Sequence, residues 1–123
     1  MNLTLDQIAE GFVALQEIGA EKLPLKSSFL FQRNLRLLMP EAEGYERVRI
    51  DLIKTKYGKK QKDGNFLVPQ DNLESYLEEM KELGKTTVDL DIRVIKTDEV
   101  PELQISPIQL NALEWMFVNM ESV

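Results

Sequence analysis

Leu5, Ile8, Phe12, Leu15 and Ile18 recur at steps of three and four along the first twenty residues. That spacing is the apolar stripe of an amphipathic helix. Thr4-Leu5-Asp6-Gln7 precedes the stripe as a capping box, so a first helix is expected from Leu5 to about Glu17, with Gly19 ending it. Leu23-Pro24 then forces an extended link, because a residue before proline is pushed out of the helical region.

Phe31, Leu35, Leu38, Ala42, Tyr45, Val48 and Leu52 continue the three-and-four alternation, which predicts one long helical segment from Leu25 to about Tyr57. Pro40 lies inside it and predicts a kink or break near Leu38 and Met39. Gly58 ends the segment. Asp63-Gly64 is a turn signal ahead of the short apolar run Phe66-Leu67-Val68, which reads as a brief strand. A third helix is expected from the capping box Asp71-Asn72-Leu73-Glu74 and the stripe Leu73, Tyr76 or Leu77, Met80 and Leu83. It can fold back on the long segment as an antiparallel hairpin, and Gly84 closes it.

Period two replaces period three-and-a-half in residues 87–95. Val88, Leu90, Ile92 and Val94 fall on one face, and Thr87, Asp89, Asp91 and Arg93 on the other. This is a strand with one wet side. The two aspartates have a cation beside them and no third carboxylate or histidine at ligand spacing, so a metal pair is the weaker reading. Ser106-Pro107-Ile108-Gln109 starts a last helix, expected over 107–120. Its apolar residues Ile108, Leu110, Leu113, Trp115, Met116, Phe117 and Met120 cover more than half its circumference, which suits a central helix or one shared with a partner. The sum is a single domain over 1–123, mainly α with a small antiparallel β-sheet built from 65–68 and 87–95: a long helical hairpin plus N- and C-terminal helices.

Composition narrows the chemistry more than the fold. The 123 residues include neither cysteine nor histidine. Thiolate nucleophiles, disulfides and the commonest general base are therefore excluded. No glycine-rich phosphate loop or serine-nucleophile motif surrounds the remaining serines, lysines and carboxylates. No enzyme, metal or cofactor is expected. The net charge of −6 is uneven: residues 26–62 carry ten Lys/Arg against four acids, and the remainder is strongly acidic. Such asymmetry marks a partner surface, or two halves that neutralise each other. No apolar run is long enough for a membrane span and the start lacks a signal-peptide pattern, so a cytoplasmic protein is expected.

A helical step of about 100° per residue brings Lys26, Arg33, Arg36, Arg47 and Lys54 onto one side of the long segment, opposite the apolar seam. Arginines so placed can hold phosphate by charge-assisted bonds. The plain alternative is a solvated face, with Glu43 and Asp51 each four residues from Arg47 and able to pair with it. Arg49 falls within the seam itself. It either pairs with an acid of the third helix, such as Glu78 or Glu79, or reaches a ligand or second subunit. The cluster 54–62, with Tyr57 inside it, can hold an anion by charge and stacking or be a solvated turn. The acidic remainder argues against duplex nucleic acid as a partner.

The whole set of short motifs resembles a group of small proteins encoded by tailed phages and prophages. They are L-x-L-x-Q-I at the start, KLPLK, RNLRLL, KYG followed by KDGN, VPQDN, VDLDI, and ISPIQLNALEW near the end. The resemblance implies a viral origin and life inside a bacterium, and it carries over no catalytic or binding residue. With the basic stripe it points to a non-enzymatic accessory protein that blocks a host defence component. Such a protein would sequester an anionic nucleotide signal or dock on a host protein. The alternative is a virion or assembly component acting by multimerisation, and a homo-oligomer is expected in either case.

Overall fold

The computed structural model describes residues 1–118. The capping box at Thr4 is formed as expected: the Thr4 hydroxyl accepts from the Gln7 amide at 3.1 Å and Gln7 Oε1 accepts from the Thr4 amide at 2.9 Å. It opens α1, Leu5–Gly19, directly after the short strand β1, Asn2–Thr4. Helix α2, Leu25–Leu52, follows Pro24 and passes into a wider helical turn over Ile53–Tyr57. It is not broken at Pro40, whose position leaves the hydrogen-bonded helix continuous on both sides. Of the kink or break expected there, the break is absent. Proline forfeits its own N–H bond and crowds the carbonyl four residues before it, and the helix carries both within one element.

A hairpin of β2, Lys59–Lys60, and β3, Phe66–Leu67, turns at Gly64, whose φ of +89° is the conformation a side chain would strain. Helix α3, Gln70–Gly84, begins at Pro69 without a side-chain cap. The expected box at Asp71 does not form, because the helix starts earlier and Asp71 already lies inside its first turn; Asn72 Nδ2 donates to the Tyr57 carbonyl at 2.9 Å and ties α3 to the turn that follows α2. Strand β4, Thr87–Asp89, pairs antiparallel with β1, and β5 is Ile95–Lys96. Helix α4 is only Pro107–Leu113, with its Ser106 and Gln109 capping box in place. A 3₁₀ turn over Glu114–Met116 and strand β6, Phe117–Val118, complete the described chain.

The chain is mainly helical with small two-stranded sheets, but the pairings differ from the expected one. Segments 65–68 and 87–95 do not pair with each other; each takes another partner, and β5 with β6 is parallel. The last helix also stops well short of 120; Met120 lies outside the described residues. Packing explains the stop. Met116 is wholly buried, Phe117 stacks edge-on against Phe31 at 6.2 Å, and Trp115 lies over Gly11, where a Cβ would meet Cζ2 at 2.7 Å. One continuous helix would point three successive large side chains in three directions, whereas a 3₁₀ turn and a strand deliver all three inward. Of the apolar excess that suggested a helix shared with a partner, Leu113, Trp115, Met116 and Phe117 turn to the core, whereas Ile108 and Leu110 stay exposed.

Helix α1 lies along α2 and against α4, and Leu3, Ile8, Leu15, Leu38, Ile95, Leu113 and Met116 form the wholly buried centre. Tyr45 of α2 donates its hydroxyl to Asp6 of α1 at 3.0 Å. Burial, and then Asp6, push the Tyr45 phenol up to about 12 from an ordinary 10.0. Because the folded state holds this proton more tightly, its contribution is complete below pH 10 and is lost as pH rises through 12. Tyr45→Phe should therefore unfold with a flatter alkaline limb than wild type between those values in pH-dependent urea titrations. Parallel limbs would show that the phenol is not coupled to folding. Among the described residues no helix is long and apolar enough to cross a membrane.

A candidate anion-binding hollow on the long helix

The five stripe cations all reach solvent on α2, but they are strung along it. From Lys26 to Lys54 the helix rises about 40 Å. A compact ligand cannot touch them all. Only Arg33 and Arg36, one turn and about 4.5 Å of rise apart, open into one hollow. Its other walls are Phe29, Gln32, Leu37 and Asp91, and its volume is about 430 Å³. Asp91 Oδ2 accepts from Arg33 Nη2 at 3.2 Å and so points that guanidinium across the hollow. Both side chains are largely exposed, so the pair sets direction more than stability.

The position of Asp91 comes from a residue no periodicity argument singled out. Asn34, wholly buried on the inner side of α2, donates from Nδ2 to the Arg93 carbonyl at 2.9 Å and accepts from the Arg93 amide at 2.9 Å. Its side chain does for residue 93 what a neighbouring strand would do. The alternation read from sequence holds at Val88, Leu90 and Ile92, then shifts: Ile95 is buried, while Val94 is exposed. The ladder with β1 runs out just past Asp89, where Leu90 exchanges backbone bonds with Met1, and Asn34 then holds the backbone at Arg93. Asp89 and Asp91 do lie on the wet side, and they diverge in use. Asp89 accepts from the Met1 amine at 3.0 Å and Asp91 serves Arg33.

The remaining candidates lie elsewhere. Arg47 borders a second hollow of about 540 Å³ between α1 and α2, with Phe12, Val13, Ala42 and Tyr45 as its apolar floor. Among the described residues Lys26, Arg36, Arg47 and Lys54 enter no ion pair, and neither does Glu43. Arg49 pairs with Glu46 on its own helix instead of Glu78 or Glu79, with Nε at 2.9 Å from Oε2. Glu46, with the Tyr76 hydroxyl adding to it, holds the guanidinium well above its ordinary value, and Arg49 in turn holds the Glu46 carboxyl low. Tyr57 is similarly engaged. Its hydroxyl donates to Glu79, its ring meets Tyr76 edge-on at 5.9 Å, and Lys56 Nζ stands 5.1 Å from its centroid and 3.2 Å from Glu79. Tyr57 and then Lys56 lower the Glu79 carboxyl. Tyr57 and Lys56 thus fasten α3 to the turn after α2, and Arg49 is held by Glu46, which leaves little of Arg49 or Tyr57 for a ligand.

Phe29 is the site residue that sequence reasoning passed over, and Asp91 reads from sequence as a wet-side aspartate with no link to Arg33. Phe29 had one available signal, a phenylalanine among the charged positions of the helix, one turn before Arg33. Asp91 had none, since its distance of 58 residues from Arg33 is closed only by the fold. No protein-family model matches the chain, and comparison with curated proteins and with solved structures found no match.

Proposed function

We propose that this is a non-enzymatic phage accessory protein that sequesters a small phosphate-bearing nucleotide signal of a host defence. The carrying observation is the convergence of Arg33 and Arg36 on one hollow that also exposes a phenylalanine. The two guanidinium groups bind phosphate oxygens, and the Phe29 ring offers a face to a base or ribose. The absence of cysteine and histidine supports binding over turnover. Docking on a host protein is the reading that remains if nucleotides fail.

Thermal melting in the presence of cyclic and ADP-ribose-type nucleotides tests the proposal. Ligand at about a hundred times its dissociation constant stabilises by about 2.7 kcal/mol, which raises the melting temperature of a domain this size by roughly 10 °C. The Arg33→Ala/Arg36→Ala variant should lose that shift. Wild type that melts unchanged at millimolar ligand, or a variant that responds equally, rules the proposal out.

A further inference from the structure

We infer that a second copy of this chain closes the hollow, with the two α2 helices paired antiparallel about the step between Met39 and Pro40. The inner face of α2 is used up: Leu30, Phe31, Leu38 and Ala42 are buried in the core of their own chain. Among the described residues its outer face is left open, with Phe29, Arg36, Glu43, Arg47 and Ile50 all exposed. That face displays Leu25 at 75 % exposure, Phe29 at 64 %, Ile50 at 39 % and Met39 at 37 %, spread along its length.

The order of residues on this face selects the partner. Phe29, Arg36, Glu43 and Ile50 follow one another at steps of seven, so they form a single line along the outer side. Read in either direction the line is apolar, charged, oppositely charged, apolar. A parallel pairing in register sets arginine against arginine and glutamate against glutamate. An antiparallel pairing about its midpoint sets Phe29 level with Ile50 of the second copy and Arg36 level with Glu43 of the second copy, each twice by the two-fold. Among the described residues, Arg36 and Glu43 are charges with no ion-pair partner. Opposite-charge matching of this kind fixes orientation and register in helix pairs.

The same geometry completes the site. Arg47 of the second copy arrives level with Gln32, one residue's rise from Arg33, and Ile50 of the second copy covers the outer side of Phe29. Three guanidinium groups then stand about one hollow with two carboxylates, Asp91 and Glu43 of the second copy. One positive charge is left over, and a phosphate-bearing anion that takes it up bridges the two copies, so phosphate ligand and dimer reinforce each other. This last step rests on the nucleotide reading given above, whereas the pairing does not.

Sedimentation equilibrium of the purified chain, without ligand and with inorganic triphosphate, tests both parts. Wild type should be a dimer at about 100 µM, a concentration at which micromolar complexes form. Glu43→Arg should be a monomer, and the exchanged pair Arg36→Glu/Glu43→Arg should dimerise again. Circular dichroism checks that each variant is folded, which is expected because both positions are exposed. Triphosphate should tighten the wild-type dimer by about tenfold, as charge pairs across interfaces do, and Arg47→Ala should abolish that tightening. A monomeric wild type overturns the inference, and so does an exchanged pair that stays monomeric. A dimer indifferent to triphosphate overturns the closure of the hollow. Nucleotide binding by a chain that stays monomeric overturns the pairing and leaves the binding reading intact.

Discussion

Asn34→Ala should lower stability by about 3 kcal/mol, mostly because the Arg93 amide and carbonyl are left without partners. The substitution removes two hydrogen bonds of 2.9 Å from a side chain with no exposure. With a urea slope of about 1–3 kcal/mol per molar, the midpoint should fall by more than about 1 M. Two further variants separate the causes. Asn34→Leu restores volume and abolishes both bonds, so it should recover only the cavity part of the loss. Asn34→Asp keeps an acceptor for the Arg93 amide but presents an oxygen to the Arg93 carbonyl and buries a charge, so it should fare no better than alanine. Amide exchange at Arg93 should accelerate in all three, since residues 91–94 belong to no strand among the described residues. Nucleotide binding should weaken as well, because Asp91 would no longer be held opposite Arg33. A midpoint within about 0.3 M of wild type would show that the clasp contributes little.

Gly84→Ala should destabilise by about 1–2 kcal/mol, although alanine is the better helix former by roughly 1 kcal/mol. Gly84 is the last residue of α3 and is buried, with a negative φ. Glycine stands there for space, since a Cβ would run into the carboxylate of Asp6. Asp6 cannot simply swing away, because its Oδ1 holds the Tyr45 hydroxyl at 3.0 Å. A clash at the end of α3 therefore reaches α2 through one carboxylate. In an Asp6→Ala background the obstacle is gone and the same substitution should change sign, stabilising by about 0.5–1 kcal/mol through helix propensity alone. Equal effects in the two backgrounds, measured by chemical unfolding, would place the cost elsewhere. The alkaline behaviour of Tyr45 offers a second readout, for Gly84→Ala should flatten the limb between pH 10 and 12 as Tyr45→Phe does.

These two sites show where the structure added to the chain's own signals. Both involve small polar contacts between elements distant in sequence, Asn34 with Arg93 and Gly84 with Asp6. Hydrophobic periodicity has no information about either. The candidate site divides in the same way. Arg33 and Arg36 were legible because a helical repeat of known angle relates residues on one element, whatever it packs against. That Tyr57 would be occupied by Glu79 and Tyr76 depends on where α3 lands, whereas the Arg49 pair with Glu46 lies three residues apart on α2 itself. That landing is set by the Asn72 bond to the turn that follows α2 and by the room at Gly84.

By itself the sequence determined what local rules govern: four helices, with two of their capping boxes, the turn at Gly64, a mainly helical class with little strand, and a basic side on the long helix. These follow from side-chain periodicity and from caps that reach only three residues along the chain. Only the tertiary structure decided which short strands pair, where the last helix ends, that Pro40 is carried within α2, and which two of the five stripe cations share a hollow. Those outcomes depend on filling one core without voids and on giving every buried backbone group a partner. Both conditions compare residues far apart in the chain, and no local window contains them.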